Sequence, residues 1–299
     1  MSGFGKLKAL KGSVMQNTKH PPAFWLFPIG LLFAVAVSLL PGQWPLYVVL
    51  GVATALLGLP HGSLDTAVAK RYLPLGNPLR LGGFFAAYLA LSAAVIAVWW
   101  QVPDIALAVF LVYSAVHFGD DVTARIGRVG GTGYGLWIVS LPVVLQPDVV
   151  VPLFEMLGST RPELIVQAAP WSLALGGALL LMGLLSHQSR EVSDWRDPLL
   201  LVVAAWLLHP LAYFIAYWCF LHSPRHLFVT AQDLGLESWR EKLAAIAPTT
   251  LATYALAVAA IPFLIGLPAD AMLMRLIFVG LAALTVPHMV VEFIAEARR

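Results

Sequence analysis

Residues 81–101 read LGGFFAAYLALSAAVIAVWWQ, 21 positions without one charged side chain. A helix rises about 1.5 Å per residue, so this stretch alone covers the roughly 30 Å of hydrocarbon in a bilayer. Outward from it, comparable apolar runs occur at 23–40, 46–69, 104–119, 134–154, 165–186, 198–222, 247–267 and 271–295. They are continuous and rich in Ala and Leu, without period-2 alternation, so a membrane β-barrel does not fit. The whole chain agrees: 60% of its 299 residues are hydrophobic and 11% charged, against about 25% charged in a soluble domain. The expected fold is all-α, a polytopic transmembrane helical bundle of about eight spans with a metal site between helices. It forms a single domain over residues 23–299, preceded by a basic cytoplasmic segment at 1–22. The net charge of +2 is too small for a surface that tracks phosphates, so no nucleic-acid partner is expected. A single cysteine, Cys219, excludes a disulfide framework and Cys-rich zinc or iron–sulfur sites.

Lys6, Lys8, Lys11 and Lys19 precede the first run. That run is long, ends in Leu-Pro-Gly and lacks a small-x-small cleavage site, so it reads as a retained first span rather than a signal peptide. The positive-inside rule then places the N-terminus in the cytoplasm, together with Lys70, Arg71 and Arg80, while the loop near Gln101 to Asp104 has no Lys or Arg. The expected location is the cell (inner or plasma) membrane, multi-pass, in contact with the lipid bilayer.

Chemistry is concentrated in the histidines. Of eight, His20 and His187 lie in polar stretches. The other six sit in or at the ends of apolar runs, where an ionisable group is costly and functional by default. Four have His, Asp or Glu four residues on: His61–Asp65 in GLPHGSLD, His117–Asp121 in AVHFGDD, His222–His226 in LHSPRH and His288–Glu292 in PHMVVE. That spacing puts both side chains on one helix face. With 16 acids in 299 residues, about one His in twenty would meet an acid there by composition alone. Three such pairs at membrane depth therefore exceed chance, although the polar pair His187–Glu191 shows that chance supplies one.

Neutral imidazole suits iron, copper, zinc or nickel, and a ligating His usually donates its other ring N–H to a carboxylate. Asp65, Asp121 and Glu292 are therefore expected to orient histidines, of their own helix or a neighbour's, and not to bind an ion themselves. The lesser alternative is that they neutralise Arg225, a cation that needs a partner at depth. A cage of four His favours a redox-active divalent metal, and five intramembrane histidines suit one ion better than two. His288 is open to a second role, contact with substrate or oxygen. His209 has no acid partner and is expected to hydrogen-bond between helices. Pro60, Pro224 and Pro287 stand beside these histidines. Each removes a helical hydrogen bond, as in broken helices that line a site. Trp99, Trp100 and Trp171 fit an interfacial belt. Tyr113, Phe118, Tyr213, Phe214, Tyr217 and Trp218 are candidates for the wall of an apolar substrate pocket.

The histidines also constrain topology. His61, His117, His222 and His288 lie toward the C-terminal ends of their runs, so their helices must be parallel to converge. Counting all nine runs as crossings sends the His222 run the wrong way. One run between 125 and 209 is therefore expected not to cross cleanly, with the segment 134–154, which holds Pro142, Pro147 and Pro152, as first candidate. Eight crossings with both termini cytoplasmic follow.

HExxH, GxSxG and P-loop motifs are absent, as are the repeated paired-His motifs of membrane di-iron desaturases. The ordered set PHGSLD (60–65), HFGDD (117–121), YFIAYWCFLHSPRH (213–226) and PHMVVE (287–292) resembles the Brp/Blh family of membrane-bound β-carotene 15,15′-dioxygenases. The resemblance runs from about residue 58 to 292, and its specificity lies in the order of individually short motifs. It implies a non-haem Fe(2+) held by His61, His117, His222 and His226. It also implies cleavage of the central double bond of β-carotene by O2 into two retinals; hand-over of the retinal to a rhodopsin is compatible with such a product but is not readable from the residues. The residues alone leave alternatives. These are an oxygenase of another carotenoid or isoprenoid lipid, a haem or metal-binding electron-transfer protein, a metal or proton transporter, and a retinal carrier.

Overall fold

The computed structural model describes residues 23–186 and 192–298. The basic segment 1–22 with His20, and the pair His187–Glu191, lie outside the described residues. What is described is a helical bundle. α1 is Ala23–Ser38, α2 Trp44–Tyr72 and α3 Pro78–Gln101. The stretch Pro103–Leu145 is helical on both sides of Gly127, whose φ of 74° and ψ of 171° reverse the chain. It therefore forms two helices, α4 (103–126) and α5 (128–145). α6 is Pro147–Met156, α7 Pro162–Ser186 and α8 Val192–Leu207. α9 spans 210–233, α10 Trp239–Leu264 and α11 Ala269–Arg298. Among the described residues, six helical stretches are long and apolar enough to cross a membrane: α2, α3, the folded 103–145 pair, α7, α10 and α11.

The reversal at Gly127 is closed by glycine. Gly119 and Gly131 would stand about 18 Å apart along an unbroken helix. Instead, a Cβ built on Gly119 falls 2.5 Å from the Gly131 carbonyl oxygen. A Cβ on Gly135 would lie 1.7 Å from the Ala115 carbonyl oxygen. On its other face α5 meets α7 in the same way, Gly130 against Gly183 and Gly133 against Gly176 and Leu180. Small residues let membrane helices approach until backbone touches backbone. The polar-looking segment 120–133 is thus helix up to a one-residue turn. Gly135→Ala is expected to destabilise the protein by about 1–3 kcal/mol, the usual cost of overpacking, read as a lower thermal midpoint in detergent. An unchanged midpoint would show that the seam relaxes freely.

Asp104 at the start of α4 accepts hydrogen bonds from Ser159 Oγ (2.5 Å), Thr160 N (2.8 Å) and Arg161 N (3.0 Å) at the approach to α7. This fixes one end of the bundle. Arg298 Nη1 donates to the Tyr72 carbonyl (3.1 Å) and Arg71 to that of Asp233, so α2, α9 and α11 finish together at the other end. The run 134–154 does break, at Gln146, whose side-chain amide donates to the Ala205 and Leu208 carbonyls (2.7 and 2.6 Å). The reversal that sets the direction of His222 lies elsewhere, inside the run 198–222. There α8 ends at Leu207, His209 Nδ1 accepts from Leu211 N (3.2 Å), and α9 starts at Pro210 in the opposite sense. Asp197 near the start of α8 accordingly meets Arg225 near the end of α9. The expected location of the parity break is corrected to this point. A Pro at the first helical position, with its fixed φ, starts a new helix here and does not merely kink one.

Two segments at the histidines depart from α geometry. In α2, residues 54–58 are π-helical and 59–64 3₁₀, with Pro60 in the first turn of the 3₁₀ segment. Their freed carbonyls are occupied: Gly58 by His61 Nδ1 (2.6 Å), Ala55 by Tyr254 Oη (2.6 Å) and Ser63 by Thr249 Oγ1 (2.7 Å). Non-helical backbone at membrane depth requires such satisfaction. In α9, Ile215–His222 is π-helical and Ser223 N donates to the Trp218 carbonyl five residues back. Pro224 has no N–H to continue the α ladder, and π segments recur at functional sites.

Candidate metal centre

Five imidazoles meet between α2, α4, α9 and α11. The His61 ring centroid lies 5.5 Å from those of His222 and His226 and 5.4 Å from that of His288. His117 lies 4.8 Å from His222 and 5.2 Å from His288, and His226 lies 5.1 Å from His288. Metal–nitrogen bonds of about 2.1 Å would put the rings around one ion with centroids roughly 5 Å apart. One nitrogen each of His61, His117 and His288 lies within 4.8 Å of the other two. The Nε2 atoms of His117 and His222 are 3.1 Å apart. All but His226 are buried.

Three rings have their tautomer fixed. His61 Nδ1–H donates to the Gly58 carbonyl (2.6 Å). His222 Nδ1 faces both Asp121 oxygens (3.0 Å each) and His288 Nδ1 faces Asp65 Oδ1 (2.7 Å). A carbonyl or carboxylate only accepts, so each Nδ1 carries the proton and each Nε2 keeps its lone pair. His117 Nδ1 and His288 Nε2 are buried with no hydrogen-bond partner. Buried polar atoms are normally satisfied, and several bare imidazole nitrogens facing one point are what a divalent transition metal requires. The residues present therefore fit an ion.

The acids sort differently from their i, i+4 spacing. Asp65 serves His288 of α11 and Asp121 serves His222 of α9, each across helices and not within its own. Glu292 turns inward, its oxygens 3.3 Å from His226 Nε2, 3.7 Å from His288 Nε2 and 3.9 Å from His117 Nδ1. Its side chain is 32% exposed, which places it on the rim beside His226. Arg225 is paired with none of these three. It donates to Asp197 Oδ2 (2.6 Å), a buried acid that also holds Arg196 (2.7 Å). The sequence reading passed over Asp197, although a carboxylate opening an apolar run, as in WRDP, signals a buried partner. It also passed over Tyr88, whose Oη donates to Asp65 Oδ2 (2.9 Å). A Tyr in mid-run needs such a partner.

An apolar cavity lies between α4, α5, α6, α9 and α11, about 830 Å³ of empty space when the open solvent at its mouth is counted. On α4 it extends from Leu107 to Phe118, about 16 Å of helix. Phe118, Tyr213, Phe214 and Tyr217 line it. Phe118 and Tyr217 form its floor, with rings 4.9 and 6.2 Å from that of His222, and Tyr217 Oη donates to Asp121 (3.0 Å). Tyr113 and Trp218 are not on this wall. Tyr113 Oη donates to the Ala282 carbonyl (2.9 Å). Trp218 stacks on Phe214 at 5.3 Å and stands edge-on to His61 at 5.7 Å. Leu107, Phe110, Phe154 and Phe278 complete much of the wall and carried no signal that separates them from ordinary span residues.

No solved structure matches the chain. A curated β-carotene 15,15′-dioxygenase from the uncultured marine bacterium 66A03 is 30% identical to it over 253 residues, 80% of this chain and 90% of that protein. The family model described as β-carotene 15,15′-dioxygenase matches residues 52–294, a span that holds all five clustered histidines, both Asp–His pairs and the cavity. By that match the chain belongs to the β-carotene 15,15′-dioxygenase family.

Proposed function

We propose that this protein splits the central 15,15′ double bond of β-carotene with O2, giving two molecules of retinal. The ion would be Fe(II), held by His61, His117, His222 and His226. The observation that carries the reading is the juxtaposition of an imidazole cluster and an apolar cavity that share Phe118 and Tyr217. The cavity's reach along α4 is comparable with one arm of the polyene measured from its central bond. When bound, Fe(II) supplies the redox chemistry that lets O2 react with a closed-shell alkene.

The chain's own residues bind, orient and exclude. Leu107, Phe110, Phe154 and Phe278 hold the hydrocarbon by dispersion and shape. Phe118 and Tyr217 stand where the cavity meets the cluster, so that the central bond, and not a terminal ring, comes beside the centre. Asp121 and the Gly58 carbonyl fix His222 and His61 so that their lone pairs point inward. The balance, C40H56 and O2 to two C20H28O, moves no proton, so no general base is required. The surrounding helices exclude water from the reacting bond. Lys70, Arg71, Arg128, Arg240, Lys242 and Arg298 gather at the end where α2, α9 and α11 finish. By the positive-inside rule we propose that end as cytoplasmic, in the plasma membrane.

Expression in cells that make β-carotene tests the reading. The orange colour should fade while retinal accumulates at two molecules per carotene lost. An iron-loaded protein that leaves β-carotene intact would overturn the substrate assignment.

A further inference from the structure

We infer that His288 is a fifth imidazole of the metal centre, set in place by Tyr88 through Asp65. The inference rests on the reading of this cluster as a metal centre and extends it to a helix, α3, that otherwise borders lipid.

Two hydrogen-bonded chains of the same composition reach the cluster from different sides. In one, Tyr217 Oη donates to Asp121 Oδ2 at 3.0 Å and Asp121 Oδ1 accepts from His222 Nδ1 at 3.0 Å. In the other, Tyr88 Oη donates to Asp65 Oδ2 at 2.9 Å and Asp65 Oδ1 accepts from His288 Nδ1 at 2.7 Å. The first links two helices, the second three: α3, α2 and α11. Each leaves one imidazole with a protonated Nδ1 and a bare Nε2. His222 Nε2 meets His117, whereas His288 Nε2 is buried without a hydrogen-bond partner, in reach of His61 and His117.

A histidine that merely filled the core would use that lone pair on a donor. Here the nearby groups are other ring nitrogens and, at 3.7 Å, a Glu292 oxygen, none of which offers a fixed proton. A cation is what the position accepts. His226, by contrast, lies at the rim, its Nε2 3.3 Å from Glu292 and 3.4 Å from Thr230 Oγ1. His288 is thus more deeply committed to the centre than one of the four histidines already assigned to it. Tyr88 is a positioning residue, since it reaches the ring through Asp65, its hydroxyl lying also 3.4 Å from the Leu284 carbonyl of α11. Only 6% of the apolar 18-residue window of α3 is buried, so a tyrosine turned inward from this helix to a carboxylate has a specific task.

The test uses the full chain in detergent, loaded anaerobically with Co(II), whose d–d bands report ligand number and type. Wild type should bind one Co(II). His288→Ala should weaken binding about tenfold to a hundredfold and shift the bands, and added imidazole should restore them by filling the vacated space. His288→Gln, which keeps volume and polarity, should show the same shift. Tyr88→Phe should move bands and affinity in the same direction by less, an effect that a purely structural tyrosine would not produce. His209→Ala should change neither. Wild-type bands and affinity in folded His288→Ala or His288→Gln would place His288 outside the centre while leaving the metal reading standing. A shift that imidazole fails to reverse would equally count against it. Wild type that takes up no Co(II) would bring down the metal reading and this inference together.

Discussion

Replacing His222 with alanine is expected to abolish both iron loading and retinal formation. His222 is 1% exposed, its Nε2 is 3.1 Å from that of His117, and its Nδ1 is held by both oxygens of Asp121. Removing the ring takes away a donor atom and the group that keeps Asp121 in register. Loss of an outer hydrogen-bond partner alone typically costs about 10–100-fold in metal affinity. Asp121→Asn should therefore fall in that range, and His222→Ala well beyond it. Iron per chain, measured by elemental analysis on purified protein, should drop to background, with cleavage of β-carotene dropping alongside. The fold should survive, because Asp121 keeps the Tyr217 hydroxyl at 3.0 Å and Arg225 keeps Asp197. A folded His222→Ala protein that retained iron and still formed retinal would remove this histidine from the site. His61→Ala is expected to behave alike, since its Nδ1 is spent on Gly58 and its Nε2 faces the cluster.

The different legibility of these parts has a physical source. Membrane spans declare themselves because contact with lipid constrains every residue of a local run, as in 81–101. The histidines declare themselves because an ionisable group inside such a run has a large desolvation cost. Pairing is a tertiary fact and leaves a weaker trace. The spacing His61–Asp65 suggests a partnership within one helix, yet the π and 3₁₀ turns around Pro60 bring the Gly58 carbonyl to His61 and leave Asp65 for His288. The reversal at His209–Pro210 was hidden for a similar reason. Prolines stand in most of these helices as kinks, and only the position of Asp197 beside Arg225 shows that this one separates antiparallel neighbours. The hairpin at Gly127 sits in a segment whose charges suggest a loop, while its glycines serve backbone contact. Nothing local distinguishes the two uses.

Ser114→Trp is expected to separate binding of the hydrocarbon from binding of the ion. Ser114 lies on the cavity wall, four residues before Phe118 and so on the same face of α4. It is buried and one helical turn from both Phe118 and His117. An indole there would occupy the space assigned to one arm of the polyene. Each buried methylene contributes about 0.8 kcal/mol, so displacing four or so carbons from the cavity amounts to about 3 kcal/mol, roughly a hundredfold in kcat/KM. Iron content should stay close to the wild-type level, because Ser114 offers no ligand atom to the cluster. Ser114→Ala, which leaves the cavity open, should cleave β-carotene at close to the wild-type rate. If Ser114→Trp folded, kept its iron and turned over β-carotene normally, the cavity would not be the substrate's path. If it lost iron as well, Phe118 would be transmitting the added bulk to His222, and the floor would be softer than its ring contacts imply. The two variants thus probe two parts of one site: His222→Ala removes the ion and cleavage together, whereas Ser114→Trp should remove cleavage alone, as a site in which the ion and the hydrocarbon meet beside Phe118 and Tyr217 requires.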